Sequence, residues 1–273
     1  TIKNIDILLE STFSGLSLPY STCTIEVYNE NKRFDPYAPN SIFKSVEERQ
    51  AIPIEIGLRL PDGTIEWLPG GTFYQQSGGW SLMPLTVQWN LTDVIGMLTS
   101  RRFVVPDTLP TTLNGWISAV MASLGKNFKT HYVVDSNVEN IQINASKEKL
   151  TGMSCGDVIR FACMATNTRP YQDRTSGKLR ISKIERIEGN ALTLDNMPSY
   201  AVMSENAEVS DITFALDNGE VTFPGTNTES DQSLSVDNPF IHTQDDAQKA
   251  MISCLLEYGG RKFTAQRRGN PSS

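Results

Sequence analysis

The sequence predicts a mainly β, α+β fold built in three parts. Apolar residues recur at every second position through most of residues 1–100, which is the spacing of strands with one buried face. The spacing becomes helical within residues 101–189, and short β runs return after residue 190. A length of 273 residues suits two domains of ordinary size or three small ones, so it can accommodate the three parts.

The first part carries several short strands separated by turns. The alternation is clearest in three runs, at residues 5–9, 23–27 and 52–60. Pro61-Asp62-Gly63 is a turn, so residues 64–68 are expected to return as the hairpin partner of the third run. Further strands are predicted to begin at Gly70 and Leu85, and residues 29–43 are predicted to be a long loop. Short strands with frequent turns favour a small barrel or a sandwich.

The central part is predicted to be a small α+β unit with two helices. Thr111 or Thr112 caps the first helix, whose apolar stripe covers residues 113–124 and which ends at Gly125. The second helix follows Ser154, because Ser154 and Asp157 have the spacing of a capping box. A turn then leads into an amphipathic strand at residues 178–184.

The third part returns to short strands and closes with a helix. The β runs are residues 191–194, 209–214, 220–223 and 233–236. Residues 243–246 are predicted to cap a helix that ends at Gly259-Gly260. Acidic residues in its first turn and Arg261-Lys262 just beyond its end both complement the helix dipole.

The charge of the chain is concentrated in one segment. The formal net charge is −7, from 24 basic and 31 acidic residues, which argues against a strongly basic nucleic-acid-binding protein. No Lys or Arg occurs between Arg186 and Lys249, so the segment 187–248 is purely acidic. Its twelve acids are Glu188, Asp195, Glu205, Glu208, Asp211, Asp217, Glu220, Glu229, Asp231, Asp237, Asp245 and Asp246.

Three further features narrow the class of protein. No apolar run approaches the ~20 residues that span a bilayer, so no membrane-spanning segment is predicted. The chain begins without Met and ends in a turn-like stretch, so we expect it to be a processed or cropped piece of a longer protein. The four cysteines, Cys23, Cys155, Cys163 and Cys254, lack the spacing of a zinc site and are expected to pack as reduced, small apolar residues.

The sequence predicts no catalytic, cofactor-binding or metal-binding residues. His131 and His242 are the only histidines, and each is expected to be structural rather than a general base. The many carboxylates would suit a glycosidase only if two of them faced each other, and Asp217-Asn218-Gly219-Glu220 could hold Ca²⁺ but lacks EF-hand spacing. A sugar-binding platform would need exposed aromatic side chains, for which the candidates are Tyr20, Tyr37, Trp67 and Trp80. For these aromatic residues, core or subunit-contact roles are favoured.

Several short motifs occur in an order that resembles one family. The first contains Asn29, Arg33, Phe34 and Pro36. The others are residues 39–43, 54–57, 69–74, 92–98, 150–154, 171–179, 237–241 and 268–271. In this order they resemble the tail hub proteins of phages and prophages, and the resemblance covers most of the chain.

The resemblance implies two tube-protein-like β-barrels with an α+β domain inserted between them. The barrels would be residues 1–100 and 190–273, and the insert residues 101–189. Three protomers would form a homotrimer that presents a pseudo-hexamer to the tail tube and contacts other tail-tip or baseplate proteins. Family members usually continue past the last motif, so the second barrel is expected to be incomplete or completed elsewhere.

The function implied by the resemblance is structural, not enzymatic. The protein would join the tail tube to the tip of the virion, and would be found in the bacterial cytoplasm during assembly if a prophage encodes it. Phage DNA would pass through the lumen without specific binding, and part of the acidic segment 187–248 could face that channel and repel phosphates. Bulk solvent or a basic neighbouring subunit are the alternatives for this segment. The alternative functions are a tail-associated, peptidoglycan-degrading hydrolase and a carbohydrate-binding adhesin module.

Overall fold

The computed structural model describes residues 2–10, 17–35, 37–42, 49–83, 85–184, 202–258 and 260–264. The described strands outnumber the helices, and the strands form four separate sheets. The predicted mainly β, α+β class is therefore confirmed.

The first sheet has five antiparallel strands in the order β1-β2-β5-β4-β3. The strands are β1 (Ile2–Leu8), β2 (Thr22–Tyr28), β3 (Ala51–Arg59), β4 (Ile65–Leu82) and β5 (Thr86–Thr92). The sequence predicts two strands in the region of β4, whereas the structure has one. Ile54 pairs with Gly71 and Glu55 pairs with Pro69, so Gly70 is the extra residue of a β-bulge that bends the strand without ending it.

One face of this sheet buries a small core. Cys23, Ile25 and Val27 on β2 lie opposite Leu91, Trp89 and Val87 on β5, and Phe73 and Ile54 complete the buried set. The opposite face of β2 and β5 is polar. A short helix, α1 (Val94–Ser100), follows β5 directly and begins at Asp93. This helix is not predicted from the sequence, because seven residues are too few for a clear helical period.

The central part contains the two predicted helices and a small mixed sheet. Helix α2 (Leu113–Leu124) is capped by Thr112 and followed by Gly125, as predicted. After the single turn α3 (Lys147–Leu150), helix α4 (Cys155–Thr166) begins with the predicted capping box. The strands are β6 (Tyr132–Val134), β7 (Thr168–Gln172) and β8 (Leu179–Lys183). β8 lies between the other two, parallel to β6 and antiparallel to β7.

The third part contains two small sheets and the last helix. Its elements are β9 (Val202–Ala207), β10 (Asp211–Leu216), β11 (Gly219–Pro224), β12 (Ser233–Val236), α5 (Gln244–Tyr258) and β13 (Gly260–Thr264). β10 pairs with β11 on one side and with β12 on the other, and β9 pairs with β13. The predicted run 191–194 lies outside the described residues, and β13 is an addition to the prediction.

A large core joins the central and third parts, and Tyr74 and helix α1 of the first part also belong to it. Trp116 on α2, Ile159 on α4 and Phe214 on β10 are all fully buried within it. Ala247, Ala250 and Cys254 add the inner face of α5. Helix α4 contacts α1, α2 and α5, so it forms the centre of this core.

Neither predicted barrel is closed by the strands that the structure describes. Strands β1 and β3 are the two edges of the five-stranded sheet, and β11 and β12 are the edges of the three-stranded sheet. An open sheet leaves one side of each edge strand without ladder partners from that sheet. The barrel prediction thus corresponds, in the described residues, to open sheets.

Candidate interaction surfaces

His131 joins the central part to the first sheet. Its Nε2 lies 2.8 Å from Tyr74 Oη and 2.9 Å from the carbonyl oxygen of Gly177. A carbonyl oxygen can only accept, so we assign the ring proton to Nε2. Burial lowers the pKa of His131, and burial raises the pKa of Tyr74 to about 12. The pair is therefore a neutral hydrogen-bonded contact between β4 and the turn before β8, which is a structural arrangement.

His242 joins the third part to the central part through both ring nitrogens. Nδ1 lies 3.0 and 3.1 Å from the two carboxylate oxygens of Asp217, and Nε2 lies 2.9 Å from the carbonyl oxygen of Asn144. Both neighbours are acceptors, so both nitrogens donate when the ring is the imidazolium. Although partial burial opposes the charge, these two hydrogen bonds and the nearby Asp217 and Asp246 carboxylates raise the pKa of His242.

We expect the pKa of His131 to lie below the ordinary value of 6.5 and the pKa of His242 to lie above it. Because the pKa of His242 is raised in the folded protein, its stabilisation is complete below the unfolded value and is lost as the pH rises through the folded value. Asp217 is 54% exposed, so solvent screening limits the effect of Asp217→Asn to about 1 kcal/mol at acidic pH.

Histidine resonances in NMR spectra recorded across a pH titration test this prediction, because the chain has only two histidines. The Asp217→Asn variant identifies the His242 signal by lowering its pKa and leaves His131 unchanged. A His131 pKa above that of His242 would contradict the assigned hydrogen bonds.

Residues 217–220, the candidate calcium site, form the turn after β10 and the start of β11. Asp217 is already engaged by His242, and Gly219 adopts a positive φ of 127° that allows the tight turn. Within the described ranges, no group of three or more His, Cys, Asp or Glu side chains is placed to hold a metal ion. The turn therefore has a structural explanation in the hairpin and in the His242 contact.

Two of the four aromatic candidates lie on β4 and the other two lie in loops. Tyr20 precedes β2, Tyr37 is 90% exposed in the long loop, and Trp67 and Trp80 lie on β4. Trp67 is 59% exposed and, together with Ile65, covers Gly57 across the β3–β4 hairpin. Trp67 therefore packs on its own hairpin, whereas Tyr20 and Tyr37 belong to loops.

All four cysteines are buried and none forms a disulfide, which agrees with the prediction of reduced, packed thiols. Burial raises the pKa of the Cys23 and Cys155 thiols to about 11 and that of the Cys163 thiol to about 12. Thiols with a raised pKa are poor nucleophiles, because the thiolate is the reactive form.

Asp93 is a buried carboxylate within the motif at residues 92–98, for which the sequence alone predicts no individual role. Its carboxylate accepts from the backbone N–H of Ser21 at 2.8 Å and of Gly96 at 2.9 Å, so it fastens the start of β2 to α1. Burial raises the pKa of Asp93 to about 6, although these hydrogen bonds favour the charged form. Its position three residues before Gly96 is the N-cap signal that could have revealed α1.

The hairpin of β3 and β4 exposes apolar side chains near its tip. Ile56, Ile65 and Trp67 are 44%, 45% and 59% exposed. Trp67 pairs with Gly57 and Ile65 with Arg59, so Ile65 and Trp67 share one face of the hairpin, whereas Ile56, which pairs with Leu68, lies on the other. Ile65 and Trp67 are therefore two neighbouring exposed apolar side chains on one face.

The sheet of β10, β11 and β12 has one apolar face and one polar face. Ile212 and Phe214 are buried against the large core. The opposite face carries only small hydroxyl side chains, an alanine, a proline and two acids. Its residues are Asp211, Thr213, Ala215, Glu220, Thr222, Pro224, Ser233 and Ser235. This polar sheet face contains no Lys or Arg and no large apolar side chain.

No helix within the described part of the chain is long and apolar enough to cross a membrane.

Comparison with known proteins gives similarity in structure but not in sequence. No family model matches the chain, and no curated protein matches it by sequence. The structure is similar to that of the 43 kDa tail protein of prophage MuSo2 from Shewanella oneidensis, with a TM-score of 0.51 and 17% identity over 90% of this chain and 72% of that one. It is also similar to the tail protein from Neisseria meningitidis MC58, with a TM-score of 0.56 and 12% identity over 96% of this chain and 73% of that one. At these identities the comparison establishes a shared fold.

Proposed function

We propose that this protein is a structural component of a phage or prophage tail, and specifically a hub protein that joins the tail tube to the tip or baseplate. In this role it assembles as a homotrimer, contacts the tube and other tail-tip proteins, and resides in the virion. A prophage-encoded copy would be found in the bacterial cytoplasm during assembly.

The observation that carries the proposal is the extent of the shared fold. Both similar structures are tail proteins, and the similarity extends over 90% and 96% of this chain, so it includes the five-stranded sheet, the central unit and the third part. A fold alone does not determine function. The proposal therefore also draws on the ordered series of sequence motifs and on the exposed apolar hairpin, which suits a protein that works through contacts.

The proposed domain division is a barrel at residues 1–100, an insert at 101–189 and a second barrel at 190–273. The five-stranded sheet and its separate core support the first unit. For the other two units we infer that the large shared core makes them one rigid body. Rigidity suits a protein that joins a tube to a tip, because the joint must keep its shape while it holds the two together. Such a role involves no enzymatic reaction.

We further propose that the polar sheet face of β10, β11 and β12 lines the channel through which DNA passes. The Asp211 and Glu220 carboxylates would repel the phosphates of DNA. The remaining side chains of this face are uncharged, so the face offers no cation to which a phosphate could bind. In a trimer reconstruction this face should therefore point toward the axis. A trimer in which the face points to bulk solvent would end the channel assignment while leaving the hub role intact.

Electron cryomicroscopy of the purified chain, alone and with its tail tube protein, tests the proposed function. We expect three protomers whose two β units alternate around the axis, related by a rotation of ~60°. Binding to the end of the tube would complete the test. Turnover of peptidoglycan that alanine substitutions abolish, or specific glycan binding with no affinity for tail proteins, would replace the proposal with one of the two alternative functions.

A further inference from the structure

A basic cleft lies between the start of β3 and the C-terminal end of α2. It has a volume of about 460 Å³, and the side chains of Arg49, Lys126 and His131 line it together with Tyr74 and Asn127. Arg49, Lys126 and Asn127 can donate hydrogen bonds into the cleft, whereas His131 is the neutral ring that already contacts Tyr74 and Gly177. No carboxylate is among the described residues that line the cleft. A concave site of this size and composition suits acidic groups.

Hydrogen bonds to the end of α2 hold two arginine side chains at and beside the cleft. Arg49 Nη1 donates to the carbonyl oxygen of Leu124 at 2.8 Å, and Arg101 Nε donates to that of Ser123 at 3.2 Å. Both carbonyls belong to the last turn of α2, whose negative dipole end attracts cations. Lys126 follows immediately and is exposed, so its ammonium group is available to an incoming acid.

The same chain carries a surface of opposite charge. We define the acidic loop as residues 225–232 together with Glu208. Asn227 Nδ2 donates to the Glu208 carboxylate at 2.8 Å, and Ser230 Oγ donates to the Glu208 carbonyl oxygen at 2.9 Å. Glu229 and Asp231 are exposed on this loop. No Lys or Arg occurs in the segment 187–248, so no base from the loop's own segment neutralises these acids.

We propose that the acidic loop of one copy docks into the basic cleft of a second copy. The two surfaces are different regions of the same chain, so the contact is heterologous and repeats head to tail. Head-to-tail contacts form a closed ring when the rotations between successive copies add up to a full turn. A two-fold contact, by contrast, joins only two copies. This proposal rests on the trimer of the proposed function, and it identifies the two surfaces that form the contact between neighbouring protomers.

Charge reversal on each side tests the contact. Lys126→Glu on the cleft, or Glu229→Lys with Asp231→Lys on the loop, is expected to weaken assembly by about tenfold or more. The matched controls are Lys129→Glu, which makes the same charge change outside the cleft lining, and Glu148→Lys, which lies on α3 outside the loop. The variant that combines Lys126→Glu with the two loop reversals is expected to regain assembly.

Sedimentation velocity over a range of protein concentrations, at about 0.1 M and about 1 M salt, gives the readout. Weaker assembly of both single-side variants at low salt, normal assembly of the controls and recovery in the combined variant support the contact. A wild-type trimer that no reversal alters overturns this contact and leaves the proposed function standing. A wild-type chain that stays monomeric, alone and with the tube protein, counts against the trimer itself. Preferential binding of DNA in the cleft, lost in Lys126→Glu, also overturns the proposal.

Discussion

Trp116→Ala is expected to lower the free energy of unfolding by about 3–5 kcal/mol, the range for removing a fully buried large aromatic side chain. Trp116 has no exposed surface. Its Nε1 donates to the carbonyl oxygen of Ile143 at 3.2 Å, and its ring meets the edge of Phe240 at a centroid distance of 5.0 Å. Since Phe240 precedes α5, the indole connects the central part to the third part, and its loss weakens both.

Urea denaturation followed by circular dichroism measures this change, and Trp67→Ala is the matched control. Both variants remove an indole, but Trp67 is 59% exposed, so its loss should cost less than about 1 kcal/mol. Trp116→Phe should fall between the two, because it keeps an aromatic ring but leaves the Ile143 carbonyl without its donor. Equal costs for the two alanine variants would show that the core around Trp116 is not the main source of stability.

The sequence predicts well those elements whose signals lie close together along the chain. Thr112 and Gly125 bound an apolar stripe of helical period, so α2 is correct at both ends. Ser154 and Asp157 form a capping box within four residues, so the start of α4 is also correct. In each case the atoms that stabilise the element belong to neighbouring residues, and the pattern alone is sufficient.

Contacts between distant residues could not be predicted in this way. The hydrogen bond between His242 Nε2 and the Asn144 carbonyl oxygen joins residues that are 98 positions apart. The residues around one partner carry no sequence signal that points to the other. The sequence predicts structural roles for both histidines, and only the folded chain gives them their partners. The basic cleft is similar, because Arg49 and Lys126 approach each other only when β3 packs beside the end of α2. The order of strands within a sheet, and so the closure of a barrel, depends on the same kind of distant pairing.

Gly96→Ala is expected to destabilise the protein by about 3 kcal/mol, although alanine is the better helix former by about 1 kcal/mol. Gly96 lies in α1, where an added Cβ would overlap Thr92 Oγ1 and lie 2.9 Å from Tyr20 Cδ2. Thr92 is fully buried on β5, so it cannot move away without disturbing the sheet. The backbone N–H of Gly96 also donates to Asp93, and displacement of this turn would loosen that contact.

A double-mutant cycle with Thr92→Ala separates the steric cost from other effects, because Thr92→Ala removes the atom with the most severe overlap. We expect the cost of Gly96→Ala to fall by about half or more in the Thr92→Ala background, which is a coupling of more than 1 kcal/mol. Gly63→Ala serves as the comparison, since its Cβ would meet open space and its cost of about 1 kcal/mol comes only from a positive φ of 86°. Chemical denaturation of the four proteins of the cycle gives the free energies. Should Gly96→Ala raise stability, helix propensity would outweigh the overlap, and the close approach of α1 to β5 would not determine how the first sheet is joined to the helical core.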